Sequence, residues 1–147
     1  MGLTAKDIMD PTVLIVDGEL DVLACVRLMV DHGSGYAITA GVDHPVGGIF
    51  TEHDVLSRVL VPGLDPATVK VREVATIPVI TCPFDLPMDE VASRMAEHRI
   101  RRIVVTHGHE VVGVVTSRHV LSYFRHFADQ LSGDIAKFGT NPPTTGL

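Results

Sequence analysis

Gly48-Ile49-Phe50-Thr51-Glu52-His53-Asp54-Val55-Leu56 recurs, 65 positions later, as Gly113-Val114-Val115-Thr116-Ser117-Arg118-His119-Val120-Leu121. Each copy is a glycine, two large apolar residues, a threonine and a helical start. Carried upstream, the same offset lays Leu23, Val26 and Val30 on Met88, Val91 and Met95, and Ile15-Val16 on Ile80-Thr81. Two copies are too few for an open solenoid. The repeat therefore predicts one globular domain made of two similar halves that face each other, with room for ligands where they meet.

Composition agrees. The chain has 147 residues, 46% of them hydrophobic, and a mean hydropathy of +0.28, enough to build a core. No apolar run approaches the roughly 18 residues of a membrane span. The start Met1-Gly2-Leu3-Thr4-Ala5-Lys6 lacks the apolar stretch of a secretion signal, and Lys6 stands where a myristoylation motif has Ser or Thr. A cytoplasmic protein is expected. Cys25 and Cys82 are not equivalent in the repeat, so two reduced, partly buried thiols are expected and not a disulfide or metal knuckle. The net charge is −6: acids outnumber Lys and Arg ten to four up to Lys70 and balance them at eight each thereafter. That excludes a general nucleic-acid binder, which needs a basic face, and leaves room for a local anion site.

Each half spells the same order of elements. Thr12 to Val16 predicts a buried strand, Glu19 to His32 an amphipathic helix ended by Gly33-Ser34-Gly35, and Tyr36 to Thr39 with Val46 to Phe50 a hairpin. Thr51 caps a helix that runs on to Leu60, and Pro62-Gly63-Leu64-Asp65-Pro66 breaks it. The second half predicts a strand over Val79 to Thr81, a helix over Met88 to His98, a hairpin of Arg102 to Thr106 with Val111 to Val115, and a closing helix over Ser117 to Phe127. The divisions are 1–62, a linker 63–70, 71–131, and a tail 132–147 whose Gly, Thr, Asn and Pro cannot bury enough surface to order it.

This order of strand, helix, strand, strand, helix, with Gly-aliphatic-aliphatic-Thr-x-x-Asp opening the last helix, resembles the CBS domain, named for cystathionine β-synthase. Lys6-Asp7-Ile8-Met9-Asp10-Pro11 and Val111-Val112-Gly113-Val114-Val115-Thr116 are similar to further parts of the family pattern. The two copies look like a CBS pair, or Bateman module, over roughly Ala5 to Arg125. The resemblance implies a mixed α/β (α+β) fold of two β-α-β-β-α repeats about a pseudo-two-fold axis, small sheets packed on helices. It also implies a flat homodimer formed through helices, to which the apolar faces Leu20 to Val30 and Met88 to Met95 would contribute.

A helix start offers unpaired N–H groups and partial positive charge to a phosphate, and a carboxylate one turn in can accept ribose hydroxyls. In the family the motif threonine and aspartate contact phosphate and ribose of adenosine compounds. Position by position these become Thr51 and Asp54, with His53 between them. The resemblance places Ile77, Pro78 and Val79 opposite, as an adenine sandwich, with Ile100, Arg101 and Arg102 toward phosphate, for which the planar arginine fork is suited. The second cleft would take Thr12, Val13, Tyr36, Ala37, Thr116, Arg118 and His119. An imidazole at 119 is not the same bidentate acceptor, so that cleft is expected either empty or tuned to another anion. Gly35, Tyr36 and Ala37 bring it no cation, so the two clefts are expected to be unequal.

His107-Gly108-His109 offers two imidazoles at a hairpin tip without a third ligand nearby in sequence, and no metal site is assigned. No Ser-x-x-Lys, Gly-x-Ser-x-Gly or phosphate-loop motif occurs, so no enzyme is expected. Two readings remain. One is a regulatory module sensing an adenosine-containing nucleotide (AMP, ADP, ATP or S-adenosylmethionine), with no cofactor beyond that ligand and an unidentified effector protein. The other is a ligand-free dimerisation or docking module with degenerate sites.

Overall fold

In a computed structural model, residues 2–41, 43–44 and 46–137 are described. Strand β1 (Ile15–Val16) lies parallel to β2 (Tyr36–Ala40), which is antiparallel to β3 (Val46–Thr51). The second sheet repeats this order with β4 (Thr81–Pro83), β5 (Arg102–His107) and β6 (Glu110–Thr116). Helices α1 (Ala5–Ile8) and α4 (Val71–Val74) precede the two halves, α2 (Val22–His32) and α5 (Met88–His98) follow the first strands, and α3 (Glu52–Asp54) and α6 (Ser117–Lys137) follow the hairpins. Past Asp54 the chain widens into a π-helical stretch, Val55–Leu60, closed by Val61 N–H donating to Leu56 O at 3.0 Å.

Local chemistry sets the helix ends. The Asp21 carboxylate accepts from Ala24 N–H at 2.8 Å to cap α2, and Gly33 ends it in the left-handed region at φ 63°. The matching end of α5 is Arg99, held at φ 54° without glycine's freedom. The closing helix runs ten residues past its expected end, and Ser132–Lys137 are helical where a loose tail was expected. Residues 138–147 of that tail lie outside the described residues.

The repeat offset is not uniform. Ile15 pairs with Ile38 and Thr81 with Val104, which sets an offset of 66 through the first two strands. From β3 and β6 onward it is 65, Thr51 answering to Thr116, because the second hairpin is one residue shorter. The core face of α2 is therefore Val22, Cys25 and Met29, at most 4% exposed, matching Met88, Val91 and Met95. Val30, expected on that face, is 73% exposed. Met88, Val91 and Met95, expected in the core as well as at a dimer contact, are buried in the second core together with Ala5.

Each half is completed by the lead-in of the other. Ala5 N–H and Lys6 N–H donate to Leu86 O and Phe84 O at 2.9 and 2.8 Å, and Ala5 is buried in the second core with Met88, Val91 and Ile103. Val71 N–H donates to Leu20 O at 2.9 Å, and Val71 and Val74 are buried in the first core with Phe50. Beyond these helices Asp10 bridges Val114 and Thr76 bridges Ile49. Both first strands start later than expected, at Ile15 and at Thr81, beyond the points where Asp10 and Thr76 pair across to the other half. The two sheets then meet through Tyr36, Ile38, Val104 and Val114, with Val13, Val46, Ile49, Val79 and Val111 against them.

Cys25 and Cys82 are free and buried, and burial pushes both thiols up to about 11.

Two expectations follow. A Cβ on Gly113 would meet Met9 Cγ at 2.7 Å and the Asp10 carbonyl at 2.9 Å, whereas one on Gly48 meets its nearest atoms at 3.2 Å. Gly113→Ala should lose about 1–3 kcal/mol in urea denaturation and Gly48→Ala clearly less. For the thiols, folded protein at pH 8 should react with a disulfide reagent only as fast as it unfolds. In the unfolded chain they ionise from 9.0 and in the folded chain from about 11, so their contribution to stability should fall as pH rises through that window.

Candidate functional site

The pseudo-two-fold places equivalent residues against each other where the halves meet. Tyr36 and Arg102 open β2 and β5, and the Arg102 guanidinium lies 5.4 Å from the centre of the Tyr36 ring. Arg102 Nε is buried and has no hydrogen-bond partner among the described residues. Around this pair opens a cavity of about 330 Å³ lined by Asp10, Gly35, Tyr36, Arg101, Arg102, Thr116, Ser117, Arg118 and His119. Burial first, and the neighbouring Asp10 carboxylate second, raise the Tyr36 phenol above its usual range. Asp10 also accepts from Thr12 N–H at 2.9 Å.

His119 is locked to its helix start. Its Nδ1 accepts from Thr116 N–H at 3.1 Å, and its own N–H donates to Thr116 Oγ1 at 3.3 Å. A ring nitrogen that accepts carries no proton, so the neutral imidazole bears its proton on Nε2. Three arginines, a histidine N–H and the start of the long helix α6 therefore converge on one cleft, which can hold an anion.

The matching turn at Thr51 is closed instead. Asp54 is 4% exposed; its Oδ2 accepts from Thr51 N–H at 2.9 Å and Thr51 Oγ1 at 3.1 Å. Its Oδ1 lies 3.5 Å from Thr76 Oγ1 and 3.6 Å from Arg58 Nε, and Arg58 Nη1 donates to Val74 O and Ala75 O at 3.2 and 3.3 Å.

The sequence-expected residues are thus divided. Arg101 and Arg102, expected opposite Asp54, line the His119 cleft, because Arg102 pairs with Thr116 across the hairpin and Ser117 N–H donates to Arg101 O at 2.8 Å. The expectation that this cleft lacks cations is corrected accordingly. Ile77, Pro78 and Val79 line a separate cavity of about 570 Å³ with Asp43, His44, Gly108 and His109 from the hairpin tips. Ala37 is buried in the first core, Ile100 packs on the second, Val13 packs between the sheets and His53 is exposed. His107 stacks on Phe84 at 4.1 Å while His109 borders the hairpin-tip cavity. Among the described residues no three His, Cys, Asp or Glu converge as a metal site, and no helix is long and apolar enough to cross a membrane. Sequence reading missed Asp10 as a cleft wall and Arg58 as the partner of Asp54. Asp10 lies in the Lys6-Asp7-Ile8-Met9-Asp10-Pro11 segment, which the sequence reading noted without giving it a role in a cleft.

Two tandem β-α-β-β-α units whose sheets pack together, with a cleft at the start of α6, define a paired-repeat module, and comparison with known proteins gives it a family. Residues 5–61 and 71–126 match the CBS domain, and the chain belongs to that family. It is 30% identical over 125 residues to hypoxic response protein 1 of Mycobacterium tuberculosis, spanning 85% of this chain and 87% of that one. An uncharacterised conserved protein from Pyrococcus horikoshii has a similar structure, with a TM-score of 0.74, 33% identity and coverage of 85% and 94%. The CBS domain pair of protein MJ0100, solved with 5′-methylthioadenosine and S-adenosylmethionine, shares the fold at TM-score 0.74 and 23% identity, with coverage of 86% and 98%.

If the Asp54 turn is mainly a structural clamp, removing it costs stability whether or not ligand is present. Asp54→Ala should lose about 1–3 kcal/mol in urea denaturation because Thr51 N–H and Arg58 lose their acceptor. Thr51→Ala should lose about 1 kcal/mol, the usual cost of a missing cap.

Proposed function

We propose that the chain is a regulatory module that senses an adenosine-containing nucleotide in the cleft between its CBS repeats and transmits occupancy by a change of shape. The observation that carries this reading is the convergence of Arg101, Arg102 and Arg118 on the N-terminus of α6 in a cavity of about 330 Å³. Family membership supports it, and the MJ0100 pair shows this fold with adenosine compounds bound. The arginines hold the phosphates, and Tyr36 offers an aromatic wall. Because both repeats line the cleft, a ligand there favours whichever arrangement of the halves it contacts better. Exposed apolar residues on the outer helices, Val30, Leu56 and Val61 in one half and Leu121, Phe124 and Leu131 in the other, support pairing with a second copy or an effector protein.

The second reading, a docking module without ligand, is favoured by one observation: both Asp54 carboxylate oxygens are engaged by the chain itself.

Calorimetric titration with AMP, ADP, ATP and S-adenosylmethionine separates the two. The sensor should bind about one ligand per chain, and Arg102→Ala should weaken binding about tenfold or more, the worth of one charge-assisted bond. Absence of heat with every ligand would leave the docking reading.

A further inference from the structure

The cleft's polar wall is unusual in what it offers. At the helix start of the first half stands a carboxylate, an acceptor; at the same place in the second half stands an imidazole whose Nδ1 is already spent on Thr116 N–H at 3.1 Å. The proton on Nε2 is the polar feature that His119 has left to present, so position 119 supplies a donor. Arg101, Arg102 and Arg118 add donors only, and Thr116 and Ser117 add hydroxyls. The one carboxylate in the lining, Asp10, already accepts from Thr12 N–H and borders the Tyr36 phenol. Glu52 approaches Gly35 within the first half, its Oε1 3.2 Å from where a Gly35 Cβ would stand, and Arg102 Nη2 comes from the second half to 3.9 Å from the same point. A ribose diol, which donates two hydroxyl protons to one acceptor, finds no carboxylate at His119. A phosphoryl group, all acceptors, is complementary to the donors of His119, Arg101, Arg102 and Arg118, which outnumber the Asp10 carboxylate in the lining.

Resting on the nucleotide-sensing reading above, we propose that this cleft selects its ligand by phosphoryl groups: His119 Nε2–H and the arginines bind a di- or triphosphate, and the nucleoside end points away from the start of α6. The ligand class is thereby narrowed to organic polyphosphates, and sulfonium or unphosphorylated adenosine compounds are rejected.

The test is titration of the full chain with ATP, AMP, adenosine, S-adenosylmethionine and inorganic tripolyphosphate, beside His119→Asn and His119→Asp, each checked for folding by thermal melting. Asparagine keeps an acceptor for Thr116 N–H and a donor for the ligand; aspartate keeps the acceptor and removes the donor. Expected are ATP tighter than AMP, displacement of ATP by tripolyphosphate, and no saturable binding of adenosine or S-adenosylmethionine. His119→Asn should stay within about threefold of the parent for ATP. His119→Asp should lose at least about tenfold, as a charged bond turns to repulsion, and should gain binding of adenosine through its diol. ATP binding that tripolyphosphate does not displace, or that His119→Asp leaves unchanged, overturns phosphoryl selection while the sensor reading stands. S-adenosylmethionine binding more tightly than ATP does the same. Silence from all five compounds overturns both.

Discussion

The contact between the two sheets is the constraint on which the molecule depends. Ile38 and Val104, Ile49 and Val114, Val13 and Val79, and Val46 and Val111 are equivalent pairs, and all eight pack together between the halves. Neither sheet could stand alone, since a three-stranded sheet needs its apolar face covered. Packing like on like is also what generates the pseudo-two-fold. The axis passes where Tyr36 and Arg102 touch, and there the symmetry becomes polar: an aromatic ring on one side, a guanidinium on the other.

The crossing lead-ins tighten that contact. Ala5 belongs to the core of the second half, and Val71 and Val74 to the core of the first, so neither half has a complete core without the other. Gly48 and Gly113 are the places where the crossing strands lie over the hairpins, Thr76 beside one and Asp10 beside the other. A substituent at either glycine acts against backbone, not a movable side chain tip alone, and this explains why the repeat keeps glycine in both copies. Each glycine leads by three residues into its threonine, so the same crossing that fills the core positions the helix starts.

Much of this was legible in the sequence. The glycine-aliphatic-threonine signature located both hairpins and both helix starts to within a residue, because those spacings are set by local hydrogen bonds. Helix faces were read less well: one residue missing from the second hairpin shifts α2 against α5, and a single offset of 65 put Val30 where Met29 belongs. The first strands were placed too early because the residues leading into them, Asp10 and Thr76, pair with the other half. Thr51 and Asp54 were recognised by type and spacing, yet spacing says nothing of Arg58, four residues on, whose guanidinium reaches both Asp54 and the end of α4. Arg101 and Arg102 were identified as the cations of the site; their side of the axis depends on the β5–β6 register, which only the structure fixes.

The two helix starts therefore do different work with one design. Both use a residue at the third helical position to accept the threonine N–H: a carboxylate oxygen at 2.9 Å in one half, an imidazole nitrogen at 3.1 Å in the other. The carboxylate has a second oxygen, and in the first half Arg58 and the Thr76 hydroxyl lie against it, so that turn closes on itself. The imidazole has a second nitrogen of opposite polarity, and no neighbour equivalent to Arg58 accompanies it, since Tyr123 holds that place in α6. A donor left over beside three arginines is available to water or to a ligand in the cleft. Replacing aspartate by histidine thus conserves the cap while inverting what the cap offers the cleft, and an anion bound there would draw on Arg101 and Arg102 from the same repeat and on Tyr36 from the other, across the axis the two sheets define.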